Sequence, residues 1–358
     1  MEKTQTNSAR ASGRIDGDLA PLAADGASFS LDYLSPAEFP LHQARCEGRL
    51  LGAIAFGAQA PRDAPTQCPF AWVDMPLFDN GSLFEVWTST QPVVRDNADG
   101  IAAARNADML FGCLRVKLDC KLDAASYLAY SRIFDFIDRR GYPHLLRAWN
   151  YIPQINVMDD GLERYVRFNV GRHDAFSAKG RVIGTNTPAA SALGSRGDYL
   201  IVYFLAAKQA GQLVENPRQT SAFNYPVQYG PRSPTFARAM LVKSGGEHQL
   251  FVSGTSSVVG HATLHADNVA AQTRETIANV RAVIANARLA GYDVLSHAQR
   301  LMLKAYVRRP EDLAAVRDCL SAAFGATSTI SYLQADICRA DLLLEVEGVC
   351  LNEAAQSN

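Results

Sequence analysis

The chain has 358 residues, of which 48% are hydrophobic and 20% are charged. The length predicts about two domains, and the composition excludes a mainly disordered chain because enough apolar surface is available to form a core. Lysine and arginine total 35 and aspartate and glutamate total 36, so the formal net charge is −1. A near-neutral chain gives no electrostatic reason to expect nucleic acid or a membrane surface as a partner.

The sequence contains no visible targeting signal. No segment approaches the ~20 continuous apolar residues of a membrane-spanning helix, and the N-terminus lacks the apolar region of a secretory signal. The seven cysteines are odd in number and form no C-x-x-C pair, which argues against a disulfide framework and against a zinc ribbon. We therefore expect a cytoplasmic protein with reduced cysteines.

Residues 1–28 are rich in Ser, Ala, Gly and Asp and are predicted to form a flexible tail. An N-terminal α/β domain is predicted over residues 29–205, with helices over 124–139 and 162–175 where apolar residues recur at helical spacing. A connecting loop is predicted over 206–233. The strands predicted in the N-terminal domain cover residues 49–57, 71–76, 83–88, 109–116, 145–155, 182–184 and 199–205.

The C-terminal domain is predicted over residues 234–358. It begins with a hairpin and continues into a long helix, for which Asp267 or Asn268 is a suitable N-cap. The order β-β-α-β-α-β-β predicts an α+β layer with helices on one face of a mixed sheet. The predicted elements are strands 239–242 and 249–254, helix 268–287, strand 301–307, helix 309–324, and strands 332–337 and 342–349.

Three motifs within residues 234–350 resemble the RidA/YjgF family. They are the strand 250–255 (LFVSGT), the helix start 269–276 and the closing strand 343–349 (LLEVEGV), in the family's order. The resemblance implies an α+β fold with two RidA/YjgF-like, chorismate-mutase-like halves, each a mixed β-sheet with helices packed on one face. Since RidA proteins form three-fold rings, a homotrimer or a monomer that mimics part of such a ring is expected.

Further motifs along the chain resemble the chorismatases, which are enzymes that cleave chorismate. The match is closest to the bacterial branch that releases hydroxybenzoates. The resemblance implies cleavage of chorismate to pyruvate and 3-hydroxybenzoate, 4-hydroxybenzoate or both. The supporting motifs are 143–151 (PHLLRAWNY), 161–165 (GLERY), 215–223 (ENPRQTSAF), 228–234 (QYGPRSP) and 336–339 (DICR).

Glu345 is the candidate catalytic acid. Chorismate carries two carboxylates and an enolpyruvyl ether, so its site needs cations and an acid that protonates the methylene carbon. In the apolar segment 342–347, alternation places Glu345 and Glu347 on one face, opposite Leu344 and Val346. A carboxyl that emerges from such a strand into a pocket is desolvated, which favours its neutral form. The residues alone also allow a solvent-facing glutamate, whereas the resemblance assigns the acid role to this position.

The resemblance implies that Ser256 and Cys338 shape the outcome of the reaction. Cys338 lies seven residues before Glu345, so a turn at 339–341 is expected to bring the two together. From the residues alone, Cys338 could be an ordinary core cysteine. Arginines that could hold carboxylates and tyrosines that could donate hydrogen bonds are candidates for substrate binding, although surface arginines and core tyrosines are common. The substrate-binding candidates are Arg147, Tyr151, Arg164, Tyr225, Tyr229, Arg232, Arg238, Gly254 and Arg339.

Three alternative functions stay open at this point: a chorismate hydrolase that yields a dihydroxycyclohexadiene carboxylate, a RidA-like imine deaminase, and a non-catalytic metabolite-binding protein. The deaminase is disfavoured because those enzymes carry an arginine upstream of the closing-strand glutamate, and residues 327–337 contain none. The chain has no dinucleotide-binding, P-loop or zinc-protease motif, and His261 and His265 lack a third ligand. No metal and no cofactor are therefore expected.

Overall fold

The computed structural model describes residues 29–62, 64–79, 81–244, 247–292, 299–325 and 328–352. The tail predicted over residues 1–28 lies outside this range. Within it, no helix is long and apolar enough to cross a membrane. The described chain forms three main β-sheets, a small one of four strands and two larger ones of six strands each.

The first sheet has the strand order β1-β4-β2-β3 and is the smallest. Strand β2 (Leu50–Gly57) is a continuous run of small and apolar residues that is buried on both faces, as expected for a strand enclosed in a core. One short helix, α1, packs on its outer face around Phe39. The elements are β1 (Phe29–Leu34), α1 (Phe39–Arg45), β2 (Leu50–Gly57), β3 (Phe70–Asp74) and β4 (Leu83–Ser89).

The second sheet has the order β11-β8-β12-β7-β6-β5 and carries two helices on one face. A short ribbon, β9-β10, leads into the second of these helices. The elements are β5 (Val94–Ala98), β6 (Ile101–Arg105), β7 (Met109–Lys117), α2 (Leu122–Arg139), β8 (His144–Pro153), β9 (Met158–Asp159), β10 (Leu162–Glu163), α3 (Arg164–Ala178), β11 (Ala189–Ser195) and β12 (Tyr199–Ala207).

The third sheet has the order β13-β14-β15-β20-β18-β19 and again carries two helices on one face. The predicted N-cap at Asn268 is confirmed, since its side chain accepts a hydrogen bond from the Ala271 amide. The elements are β13 (Gln212–Val214), β14 (Ala239–Ser244), β15 (Glu247–Thr255), β16 (Val258–Val259), β17 (Ala262–Thr263), α4 (Val269–Leu289), β18 (Gln299–Val307), α5 (Leu313–Phe324), β19 (Ser328–Gln334) and β20 (Leu344–Asn352).

The three sheets share one central core. Side chains from one face of each sheet meet there, with Trp87 from the first, Tyr203 from the second and Phe251 from the third. The opposite faces of the second and third sheets pack against their helices. This arrangement confirms the predicted α+β class, and the layer of a mixed sheet with two helices on one face occurs twice.

Several local predictions are wrong. Residues 182–184 form a turn rather than a strand, because the Asn186 side chain accepts a hydrogen bond from the Val182 amide and the Asn186 amide bonds back to the Val182 carbonyl. The strand predicted over 332–337 is β19 and ends at Gln334. Strand β13 joins the third sheet from within the predicted connecting loop 206–233. The domain boundaries themselves stay a prediction.

The contact between helices α2 and α3 requires a glycine at position 171. A Cβ atom there would lie 1.9 Å from the Asp123 carbonyl oxygen and 2.2 Å from the Ser126 Oγ. We expect Gly171→Ala to lower the free energy of unfolding by about 1–3 kcal/mol, because the helices must separate. Urea titration measures the effect. Ser177→Ala, an exposed change on the same helix, should stay close to the wild type, and an equally small effect of Gly171→Ala would contradict this packing.

Candidate active site

A cavity of about 340 Å³ lies between the second and third sheets. Its walls come from the β9-β10 ribbon and the start of α3, from the loop that leads to β14, and from the ends of β15 and β20. This volume suits a small organic molecule. The lining residues include Glu163, Tyr165, Gln219, Tyr225, Gln228, Tyr229, Phe236, Arg238, Gly254, Ser256, Cys338, Arg339 and Glu345.

Glu345 reaches this cavity from strand β20 and is 3% exposed. Its neighbours Leu344 and Val346 point the other way, into the core under α4 and α5. Glu347 lies two residues on and is buried between the sheets, on the same face as Glu345. The predicted alternation of these four side chains is therefore confirmed, and Glu345 does not face bulk solvent.

The surroundings of Glu345 favour its protonated form. Burial and the neighbouring Glu347 carboxylate together raise its pKa to about 8, although Arg147 and the nearby Cys338 and Ser256 side chains act in the opposite direction. At neutral pH this carboxyl therefore holds a proton inside the cavity. Such a group has the protonation state that a general acid needs.

Close packing on Glu345 explains the glycine in strand β15. A Cβ atom on Gly254 would lie 2.0 Å from the Glu345 Oε1, so only glycine leaves room for the carboxyl. Cys338 comes to the same wall through a turn in which the Leu342 amide bonds to the Arg339 carbonyl at 3.2 Å, as predicted. Burial and the nearby Glu345 raise the pKa of the Cys338 thiol to about 12, which keeps it un-ionised.

Arg238 and Arg339 are the two arginines that line the cavity. The Arg238 Nη2 donates to the Thr220 carbonyl at 2.7 Å and to the Tyr225 hydroxyl at 2.8 Å. Arg339 donates to the His261 carbonyl at 2.9 Å, and its guanidinium lies 4.2 Å from the centre of the Tyr229 ring. The Arg238 backbone amide donates to the Glu215 Oε1 at 3.1 Å. Among the described residues, however, neither guanidinium group forms an ion pair with a carboxylate.

Four predicted substrate-binding residues do not line the cavity. Arg147 is fully buried behind it, paired with Glu347 at 2.7 Å, and the Tyr151 hydroxyl lies 3.1 Å from that of Tyr306. Arg164 donates to the Pro153 carbonyl at 2.9 Å. Arg232 is half exposed and pairs with Asp174 at 3.2 Å. Each of these polar groups has a partner in the protein, so direct contact of these four residues with a ligand stays a prediction that the cavity lining does not support.

Glu163 and Tyr165 also line the cavity, although neither was among the predicted site residues. Glu163 accepts a hydrogen bond from the Asn156 Nδ2 at 2.8 Å, and partial burial raises its pKa. Both residues belong to the motif 161–165, which carried part of the resemblance. Glu163 follows a turn at Asp160 and Gly161, both with positive φ. This Asp-Gly pair is the feature of the sequence that could have pointed to Glu163 as a loop-borne site residue.

Comparison with known proteins gives matches along most of the chain. Residues 85–206 match the family model described as "Chorismatase FkbO/Hyg5-like, N-terminal". A chorismatase of Streptomyces rapamycinicus is 39% identical over 290 residues, which cover 79% of this chain and 86% of that protein. A 3-hydroxybenzoate synthase of Streptomyces hygroscopicus is 38% identical over 297 residues, which cover 80% of this chain and 83% of that protein.

A solved structure supports the same relationship. A crystal structure of a chorismatase superposes with a TM-score of 0.83 at 33% identity and covers 90% of this chain and 98% of the other. The fold and the cavity define an α+β protein with a proton-holding carboxyl and two arginines in one site for a small anionic molecule. With relatives of this identity and coverage, the chain belongs to the chorismatase family.

The raised pKa of Glu345 has a consequence for stability. The folded state holds this proton more tightly than the unfolded state does. The resulting stabilisation of the folded state is complete below pH 4.5 and is lost as the pH rises through about 8. Relative to Glu345→Gln, the unfolding free energy of the wild type should fall by about 1.4 kcal/mol per pH unit in that window. Urea titrations at several pH values measure this difference.

Glu311→Gln is the matched control, since it makes the same glutamate-to-glutamine change at an exposed position. It should follow the pH dependence of the wild type. A difference between the wild type and Glu345→Gln that stays constant from pH 5 to 8 would mean that Glu345 titrates as an ordinary exposed carboxyl.

Proposed function

We propose that this chain cleaves chorismate to pyruvate and a hydroxybenzoate. Support comes from relatives of similar length that are named chorismatase and 3-hydroxybenzoate synthase, and the chain spans more than four-fifths of both. The proposal rests above all on one structural observation. A buried carboxyl that holds its proton at neutral pH lines the same cavity as two arginines whose guanidinium groups form no ion pair with a described carboxylate.

The two arginines match the charge of chorismate, which has a ring carboxylate and an enolpyruvyl carboxylate. Each guanidinium can bind one carboxylate through its planar set of N–H donors. Tyr225 and Tyr229, which lie against Arg238 and Arg339, close the site around the substrate and add hydroxyl groups. We propose that this pairing orients the enolpyruvyl methylene toward Glu345.

In the proposed mechanism, Glu345 donates its proton to the methylene carbon of the enolpyruvyl group. The ether-bearing carbon becomes an oxocarbenium-like centre, which the C4 hydroxyl of the ring attacks to form a cyclic ketal. The C4–O bond then breaks as C3 loses its proton, and the hemiketal left on the C3 oxygen collapses to pyruvate and 3-hydroxybenzoate. Chorismate contains the same atoms as hydroxybenzoate plus pyruvate, so one proton enters at the methylene and one leaves a ring carbon during aromatisation. The Glu345 carboxylate is a base for this second transfer, which regenerates the acid.

The residues beside Glu345 favour the internal route over hydrolysis. Cys338 and Ser256 occupy the wall next to the acid, and burial keeps the thiol un-ionised, so neither group supplies a strong base to activate water. We therefore propose 3-hydroxybenzoate as the main product, as in the name of the relative from Streptomyces hygroscopicus. Chorismate hydrolase activity would instead yield a dihydroxycyclohexadiene carboxylate.

The first test is turnover of chorismate by the purified chain, with the products separated by chromatography and pyruvate assayed enzymatically. We expect equal amounts of pyruvate and hydroxybenzoate. Glu345→Gln should lose at least about 1,000-fold in kcat/KM, because the proton donor is removed while the shape of the site is kept. The surface variant Glu311→Gln should retain full activity, and near-normal turnover by Glu345→Gln would eliminate this acid.

The second test concerns carboxylate binding. Arg339→Gln should lower kcat/KM by about 10- to 100-fold, because a hydrogen bond between charged groups contributes about 1.5–3 kcal/mol. Arg232→Gln is the matched control, since Arg232 pairs with Asp174 outside the cavity. Steady-state kinetics with chorismate should show a raised KM for the Arg339 variant. Equal losses in both variants would refute the assignment of Arg339 to the site.

A further inference from the structure

Four charged side chains lie behind the cavity, where the three sheets meet, and they form a central charge cluster. Glu85 comes from the first sheet, Arg147 from the second, and Lys304 and Glu347 from the third. Their exposed fractions are only 1–2%. Groups buried this deeply are strongly destabilising unless each one is paired, so the contacts inside the cluster decide its charge state.

Glu347 is the most highly bonded carboxylate of the cluster. It accepts hydrogen bonds from the Arg147 Nη2 at 2.7 Å and from the Tyr306 hydroxyl at 2.8 Å, and the Lys304 Nζ lies 2.8 Å away. The Ser191 hydroxyl donates a fourth bond. Burial alone would raise the pKa of Glu347, but Lys304 and Arg147 outweigh burial and lower it. Glu347 is therefore ionised at neutral pH.

Strand geometry links this fixed charge to the cavity. Residues 345 and 347 are separated by two positions on β20, so their side chains leave the same face of the strand about 6–7 Å apart. Glu347 points into the cluster and Glu345 into the cavity. A negative charge at this separation in a buried setting opposes the appearance of a second one.

We propose that Glu347 is a positioning residue for the reaction, whose buried negative charge holds the proton on Glu345. The Lys304 ammonium, shared between Glu347 and Glu85, keeps that charge in place. In this way the first sheet helps to hold the proton on Glu345, although none of its described residues lines the cavity. The inference rests on the proposed function, because it assigns the reason why Glu345 can act as a proton donor.

Other groups also face Glu345. Arg147 on β8 favours its ionised form, but this guanidinium is bonded directly to Glu347. Ser256 after β15 and Cys338 before β20 can donate hydrogen bonds to the carboxyl. Tyr165 on α3 is un-ionised because burial and the nearby Cys338 raise its pKa, and Arg339 lies across the cavity. Glu163 on β10 also lines the cavity, and the charge that opposes ionisation of Glu345 is that of Glu347.

The decisive measurement is the pH profile of kcat/KM for chorismate. In the wild type we expect a plateau that falls above about pH 8. In Glu347→Gln the midpoint of this fall should move down by about one pH unit or more, because the repelling charge is gone. Glu347→Asp keeps the charge and should hold the midpoint within about half a pH unit of the wild type, whatever it does to the plateau.

A purely structural role of Glu347 would lower the plateau in both variants and leave the two midpoints alike. That outcome would overturn the proposal. If Glu347→Gln does not fold, because Arg147 and Lys304 lose their partner, the double variant Arg147→Met with Glu347→Gln removes the ion pair as a unit. Its midpoint should still move down, since the effect of Glu347 on Glu345 exceeds that of Arg147. An unchanged midpoint would refute the inference.

A second readout does not depend on turnover. The carbonyl-stretch band of the protonated Glu345 carboxyl can be titrated by infrared difference spectroscopy, with Glu345→Gln subtracted to identify it. The band should disappear near pH 8 in the wild type and at lower pH in Glu347→Gln. If this shift occurs in a chain that does not cleave chorismate, the proposed function fails while the role of Glu347 stands. If the chain cleaves chorismate but the band does not shift, the proposed function stands while the role of Glu347 fails.

Discussion

The burial of one carboxyl at the junction of two sheets governs the chemistry of this protein. Glu345 can be protonated at neutral pH because β20 carries it away from water and places it next to the Glu347 carboxylate, and it fits there only because residue 254 is a glycine. The same burial keeps the Cys338 thiol un-ionised. A cavity with an acid but without an ionised thiol is suited to proton transfer to carbon rather than to nucleophilic attack by the protein.

The packing of three sheets around one core makes this burial possible. A large apolar interior surrounds the central charge cluster, with Trp149 and Phe56 near Lys304, so the four charges are shielded from solvent and must pair with each other. Their pairing joins all three sheets, because Lys304 contacts Glu85 of the first sheet and Arg147 of the second sheet pairs with Glu347 of the third. In the proposed mechanism, stability and catalysis therefore share the same residues, and changes in this cluster should affect both.

Local patterns predicted many of the secondary-structure elements. The helical spacing of apolar residues and the N-cap at Asn268 located α4, and alternation in residues 342–347 placed Glu345 and Glu347 on one face. Strand β11 was missed because its sequence, AASALGS, consists mostly of small residues with weak strand propensity. Its small side chains instead allow close contact between sheets, where the Ala190 amide bonds to the Ser253 hydroxyl.

The sequence by itself determined the candidate acid, the family resemblance and the α+β class, because these depend on short motifs and on periodicity along one strand or helix. Only the tertiary structure decided which arginines face the cavity. Arg147 meets Glu347 across 200 positions and Arg232 meets Asp174 across 58, so each is neutralised by a residue that no local pattern indicates. The guanidinium groups of Arg238 and Arg339 stay available because no described carboxylate forms an ion pair with them.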